Sequence, residues 1–99
     1  MKLNEKVVCA DGFTMSVQAH AGAYCIPRMT GAPVYREVEV GFPSDREELL
    51  MEWAEEARDP TGTVYGFVPV GVVTNVIAKH GGMMSGEVPR GVIPLRGEK

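Results

Sequence analysis

Val7-Val-Cys-Ala-Asp-Gly-Phe-Thr-Met-Ser-Val-Gln-Ala19 is the stretch on which the fold turns. Two β-prone runs, Val7 to Ala10 and Phe13 to Ala19, flank Asp11-Gly12, a dipeptide that accepts the positive φ of a tight hairpin turn. A two-residue loop sets Ala10 opposite Phe13, Cys9 opposite Thr14 and Val8 opposite Met15. Alternation then predicts Val8, Ala10, Phe13, Met15 and Val17 on one face and Cys9, Thr14, Ser16 and Gln18 on the other.

Past the hairpin runs an irregular segment, His20-Ala-Gly-Ala-Tyr-Cys-Ile-Pro-Arg-Met-Thr-Gly-Ala-Pro-Val34. A loop of that length in a small domain is usually functional or disordered, and this one is rich in side chains that bind. Val34 to Phe42 alternates as a third strand, with Val38, Val40 and Phe42 inward and Tyr35, Glu37 and Glu39 outward. Ser44 and Glu47 then form a Ser-x-x-Glu capping box. This predicts an amphipathic helix over 44–59 whose apolar stripe is Leu49, Leu50, Trp53, Ala54 and Ala57. Thr63 to Val68 reads as a fourth strand, apolar on both faces and therefore central. Pro69 suits the first turn of a second helix that buries Val72, Val73, Val76 and Ile77 and closes at Lys79-His80-Gly81-Gly82.

The expected fold class is α+β: a mostly antiparallel sheet of about four strands, in the order ββ-loop-βαβα, with two helices on one face. Residues 1–82 form a single domain and 83–99 an extended or flexible tail. Ninety-nine residues bury roughly 60 to 70% of the unfolded surface, enough for one modest core. Charges occupy the N-terminal stretch where a signal peptide would be apolar, and no run approaches a membrane span, so a cytoplasmic location is expected, with no membrane partner. In that compartment Cys9 and Cys25 are free thiols.

Charge is unevenly placed. The chain carries −3 overall, yet residues 45–59 hold seven acids and two arginines, −5 in that segment alone. Such a distribution is unlike the basic footprint of a nucleic-acid binder, so direct nucleic-acid binding is not expected. On the expected helix, Glu48, Glu52, Glu55, Glu56 and Asp59 recur at three- and four-residue steps and cover an arc of roughly 100° opposite the apolar stripe. That face is either a solvated exterior or an acidic ridge that steers the chain to a basic surface on a partner protein.

The chemistry-bearing residues assemble no familiar catalyst. Cys9, His20, Cys25 and His80 are zinc-ligand types, but they lack the close ligand pairs of zinc sites, so neither metal nor other cofactor is expected. In the two-residue hairpin Cys9 and His20 stand roughly 20 Å apart at about 3.3 Å per residue, too far for a nucleophile and its base. His20 with Cys25 is sterically open, without an acid in the loop to orient the imidazole. Glu37 and Glu39 lack apolar surroundings to tune them as acid and base. No phosphate-loop, dinucleotide or nucleophile-elbow motif occurs. Tyr24 and Arg28 are residue types enriched at binding hot spots, with Tyr35 beside them in sequence, and Pro27 and Pro33 stiffen the backbone that carries them.

Asp11-Gly-Phe-Thr-Met-Ser-Val-Gln18, Tyr24-Cys-Ile-Pro-Arg28, Val38-Glu-Val-Gly-Phe-Pro-Ser44 and Pro60-Thr-Gly-Thr-Val-Tyr-Gly66 resemble segments of small uncharacterised bacterial and prophage proteins. The resemblance spans roughly residues 7–82 and implies a mobile-element setting, in which compact acidic proteins often inhibit host defence, as anti-CRISPR proteins do. The leading expectation is a non-enzymatic binding protein of that kind. It would act on a host protein with a basic surface, such as a nucleic-acid-binding complex, through Tyr24, Arg28, Tyr35 and the helix acids. A second expectation is a small-ligand, nucleotide-sequestering protein, for which a homodimer would build the deeper pocket. A thiol enzyme using Cys25 is the third.

Overall fold

The computed structural model describes residues 2–98; Met1 and Lys99, the end residues of the expected domain and tail, lie outside the described residues. Five strands form one antiparallel sheet: β1 (Val7–Cys9), β2 (Thr14–Gln18), β3 (Glu37–Gly41), β4 (Val64–Pro69) and β5 (Met83–Ser85), in the spatial order β4-β3-β2-β1-β5. The first four make a meander. β4 and β5 lie on opposite edges and are joined by α1 (Val70–Lys79), which leads the chain from one edge to the other. Ten helical residues rise about 15 Å, and residues 80–82 supply the remainder of the roughly 19 Å that four strand spacings of about 4.8 Å require. The fold is α+β with an antiparallel sheet, as the hydrophobic pattern predicts.

The hairpin is present with a register one residue from the expected one. Val7 pairs with Met15 and Val8 with Thr14, because the loop has three residues, Ala10-Asp11-Gly12. The Cys9 carbonyl accepts the Gly12 amide at 3.0 Å and the Cys9 amide donates to the Phe13 carbonyl at 2.8 Å. Gly12 stands at φ +94, the left-handed position that ends a three-residue hairpin loop. One residue of slip exchanges the faces of a strand. Val7 and Cys9 are therefore buried with Phe13, Met15 and Val17, whereas Val8 is only half-buried; Gln18, on the opposite face of β2, is buried where it hydrogen-bonds the Asn4 backbone.

The long helix expected over 44–59 is replaced by a 3-10 helix, Glu48–Trp53. Ser44 is committed elsewhere: its hydroxyl accepts the Thr14 amide and its amide donates to the Thr14 carbonyl. Glu47 caps the short helix by accepting the Leu49 amide at 2.9 Å, and Ala54, in extended backbone, bridges to Tyr65 of β4. β4 is an edge strand, not a central one, and Ala54 with Glu55 shields part of its rim. Helical propensity over 54–59 thus yields to the pairing needs of a strand edge.

Residues 83–97 are bound to the rest of the fold. β5 pairs with β1, the Met83 amide donates to Leu95, Gly97 donates back to Met83, and Tyr35 donates to the Arg90 carbonyl at 2.8 Å. Val92 is buried in the common core with Leu50, Tyr65, Val73, Val76 and Ile77. No described helix is long and apolar enough to cross a membrane.

Candidate functional site

The loop at 20–34 is ordered against the sheet by a bulge in β4. Val38 pairs with Val68 and Val40 with Tyr65, so Gly66 and Phe67 together oppose the single residue Glu39. The extra residue forces Phe67 to φ +56, a conformation that costs an L-residue about 1–2 kcal/mol. Its amide donates to the Tyr24 carbonyl at 3.0 Å, and the Tyr24 amide donates to Glu39 Oε1 at 3.0 Å. A Cβ at position 66 would lie 3.2 Å from that of Tyr24, so glycine there lets the loop approach closely.

The outcome is a fixed, outward-facing aromatic group. The rings of Tyr24 and Phe67 lie 5.7 Å apart at a tilt of 32°, and the Arg28 guanidinium sits 5.4 Å from the centre of the tyrosine ring. Phe67 is 41% exposed, and Tyr24 and Arg28 are exposed beside it. The sequence points to Tyr24 and Arg28 but hides Phe67, because the bulge that turns it outward is set by pairing with β3. The one local signal is Gly66 before an aromatic in a strand pattern, a recognised mark of bulges.

Tyr35, expected outward with them, is buried at 5% exposure. Its hydroxyl donates to the Met29 carbonyl at 2.6 Å and accepts the Ala32 amide at 3.2 Å, so it ties the loop together from beneath. Phe42, expected inward, is 54% exposed at φ +50.

The acids do not form the expected ridge. Glu48 and Glu52 lie about 120° apart on a threefold helix, and Glu55, Glu56 and Asp59 follow it in turns. All five remain exposed, Glu48 pairing with Arg46 and Glu56 with Arg58. Glu55 is nevertheless anchored on the strand that carries Phe67. Glu55 is hydrogen-bonded to Val64 and Tyr24 to Phe67, three residues or roughly 10 Å apart along β4.

A second polar cluster joins the hairpin turn, the segment before the 3-10 helix and the end of α1. His80 Nδ1 lies 2.6 Å from Asp11 Oδ2, and Nε2 lies 2.6 Å from Glu47 Oε1. The ring stacks on Phe13 with centres 3.9 Å apart, and Lys79 Nζ donates to Glu47 Oε2 at 2.8 Å. Burial opposes the charge of Glu47, but hydrogen bonds from Lys79, the Leu49 amide and His80 outweigh it and hold its carboxyl below the usual range. The Phe13 amide, and then His80, likewise lower Asp11. With a carboxylate on each nitrogen, the imidazole offers no free position to a substrate. This cluster is a clasp between elements.

The zinc-ligand types do not converge. Cys25 is buried, its Sγ 3.3 Å from the His20 carbonyl and 3.4 Å from that of Pro27, while His20 Nδ1 accepts the Gly22 amide. Burial, with the nearby charge of Asp11, pushes the Cys9 thiol up to about 11. Among the described residues no group of three or more His, Cys, Asp or Glu side chains is arranged to hold a metal ion. Comparison with known proteins found no matching family model, no similar curated protein and no similar solved structure.

Proposed function

We propose that this chain is a non-enzymatic binding protein that engages a basic protein surface through Tyr24, Arg28 and Phe67, with the acids at 48–59 alongside. The observation that carries this reading is Phe67: a large apolar ring held outward on left-handed backbone, where both the exposure and the conformation are unfavourable to the isolated fold. Backbone strain of this kind is concentrated at sites of function, and a ring fixed before binding loses little entropy on contact. Tyrosine and arginine beside it supply the residue types that dominate binding energy.

The acids give the partner its sign. Glu55 and Glu56, within reach of the aromatic group along β4, favour a cationic rim around an apolar or aromatic pocket. The resemblance to small prophage proteins directs the search to host defence proteins whose nucleic-acid grooves carry such a rim, in the cytoplasm, where both buried cysteines stay reduced. Inhibition would follow from occupying the groove.

Affinity capture from a host lysate, analysed by mass spectrometry, tests the reading. The wild-type chain should retain a basic protein that the Tyr24→Ala, Arg28→Ala double variant and the Glu52→Lys, Glu55→Lys, Glu56→Lys triple variant both lose. Equal retention by wild type and variants would reject it.

A further inference from the structure

A cleft of about 350 Å³ opens where the N-terminal segment, the end of β2, the 30–32 turn and the 88–90 segment meet, and Tyr35 forms part of its wall. That volume falls in the range of small-molecule sites. In a chain with more acids than bases, the charged residues of the lining among the described residues are Lys2 and Arg90, joined by His20, with no carboxylate among them. Lys2 and Arg90, like Lys6, Arg28, Arg36 and Arg96, have no acidic partner within 4 Å among the described residues, so their charges are not already neutralised by an ion pair.

The walls are set before any ligand arrives. Gln18, almost wholly buried, accepts the Asn4 amide at 2.8 Å and donates to the Asn4 carbonyl at 2.9 Å. The Tyr35 hydroxyl fixes the loop through Met29 and Ala32, and the Tyr35 amide fixes the Arg90 backbone. His20 Nδ1 accepts the Gly22 amide, which leaves Nε2 as the nitrogen that donates.

From this arrangement we infer that the cleft binds a small organic phosphate, its phosphoryl group taken by Arg90, Lys2 and His20. An ammonium, a guanidinium fork and an imidazole donor suit three oxygens that share a double charge, while a single carboxylate would be satisfied by the fork alone. The cleft shares no residue with the Tyr24, Arg28 and Phe67 group, so the two readings fail independently.

Titration of the full chain with AMP and with inorganic phosphate, followed by amide resonances in NMR, tests the inference. AMP should shift the amides of His20, Ala32 and Arg90 saturably, and inorganic phosphate should move the same amides more weakly. Added salt should weaken AMP binding. Arg90→Gln, which keeps the main-chain bond to Tyr35, should lower AMP affinity about tenfold, and Lys2→Gln, at an exposed position outside the strands, should lower it without touching the fold. The inference is overturned if no saturable shift occurs, if adenosine binds as tightly as AMP, if citrate binds more tightly than AMP, or if both variants bind AMP as wild type does.

Discussion

Glu47 exposes 1% of its side chain, and its charge is tolerated because Lys79, His80 and the Leu49 amide all face it. Asp11 and Glu47 both titrate below the ordinary carboxylate range in the fold, so the unfolded chain takes up protons first as the pH falls. Their stabilisation is complete above about pH 5, where unfolded carboxylates are ionised, and is lost as acid reaches the lower folded values. In urea titrations wild type should lose stability below that pH. Glu47→Gln should be weaker by about 2 kcal/mol at neutral pH and should change less on acidification. Parallel pH curves would refute the clasp. Cys9 and Cys25 make a second expectation at this scale: both are buried, and Cys9 is raised to about 11. Thiol reagents should label the native protein only at the rate at which it opens.

At the scale of elements, the hairpin shows how much one turn residue decides. A Cβ added to Gly12 would meet nothing within 4 Å, so Gly12→Ala should cost about 1 kcal/mol from the left-handed backbone alone, read as a lower denaturation midpoint. Asp-Gly makes the hairpin legible, but it serves two- and three-residue loops alike, and the choice lies in hydrogen bonds between Cys9, Gly12 and Phe13 that alternation cannot report. α1 is legible because Val73, Val76 and Ile77 are local and periodic. The 44–59 segment misleads for the opposite reason. Its capping box and stripe are genuine local signals, overruled by partners distant in sequence: Thr14 for Ser44, Lys79 and His80 for Glu47, Tyr65 for Ala54. Of the candidate surface, Tyr24 and Arg28 are readable by residue type, while Tyr35 and Phe67 exchange roles once the loop closes over one and the bulge forms under the other.

At the scale of the whole molecule, the C-terminal part of the described chain returns to the N-terminal hairpin. β5 adds to the hairpin's outer edge, and the last segment is laced to Met83, Thr74 and Tyr35. A chain stopped after Ser85 would uncover the core at Val92 and leave the amides of Met83 and Tyr35 without their partners. In calorimetry it should lack the cooperative thermal transition expected of the full chain, and a truncated chain melting like wild type would disprove that the last segment belongs to the fold. The same closure leaves one strand edge carrying both a fixed aromatic group and a run of acids, which is the basis of the proposed binding role. Phe67→Gly separates stability from recognition, because relief of left-handed strain offsets the added chain entropy of glycine to within about 1 kcal/mol. The decisive measurement is the affinity of Phe67→Gly for the protein captured by wild type, taken with its urea midpoint. Affinity should fall at least about tenfold at a nearly unchanged midpoint; wild-type affinity in a folded Phe67→Gly chain would be incompatible with recognition through this ring.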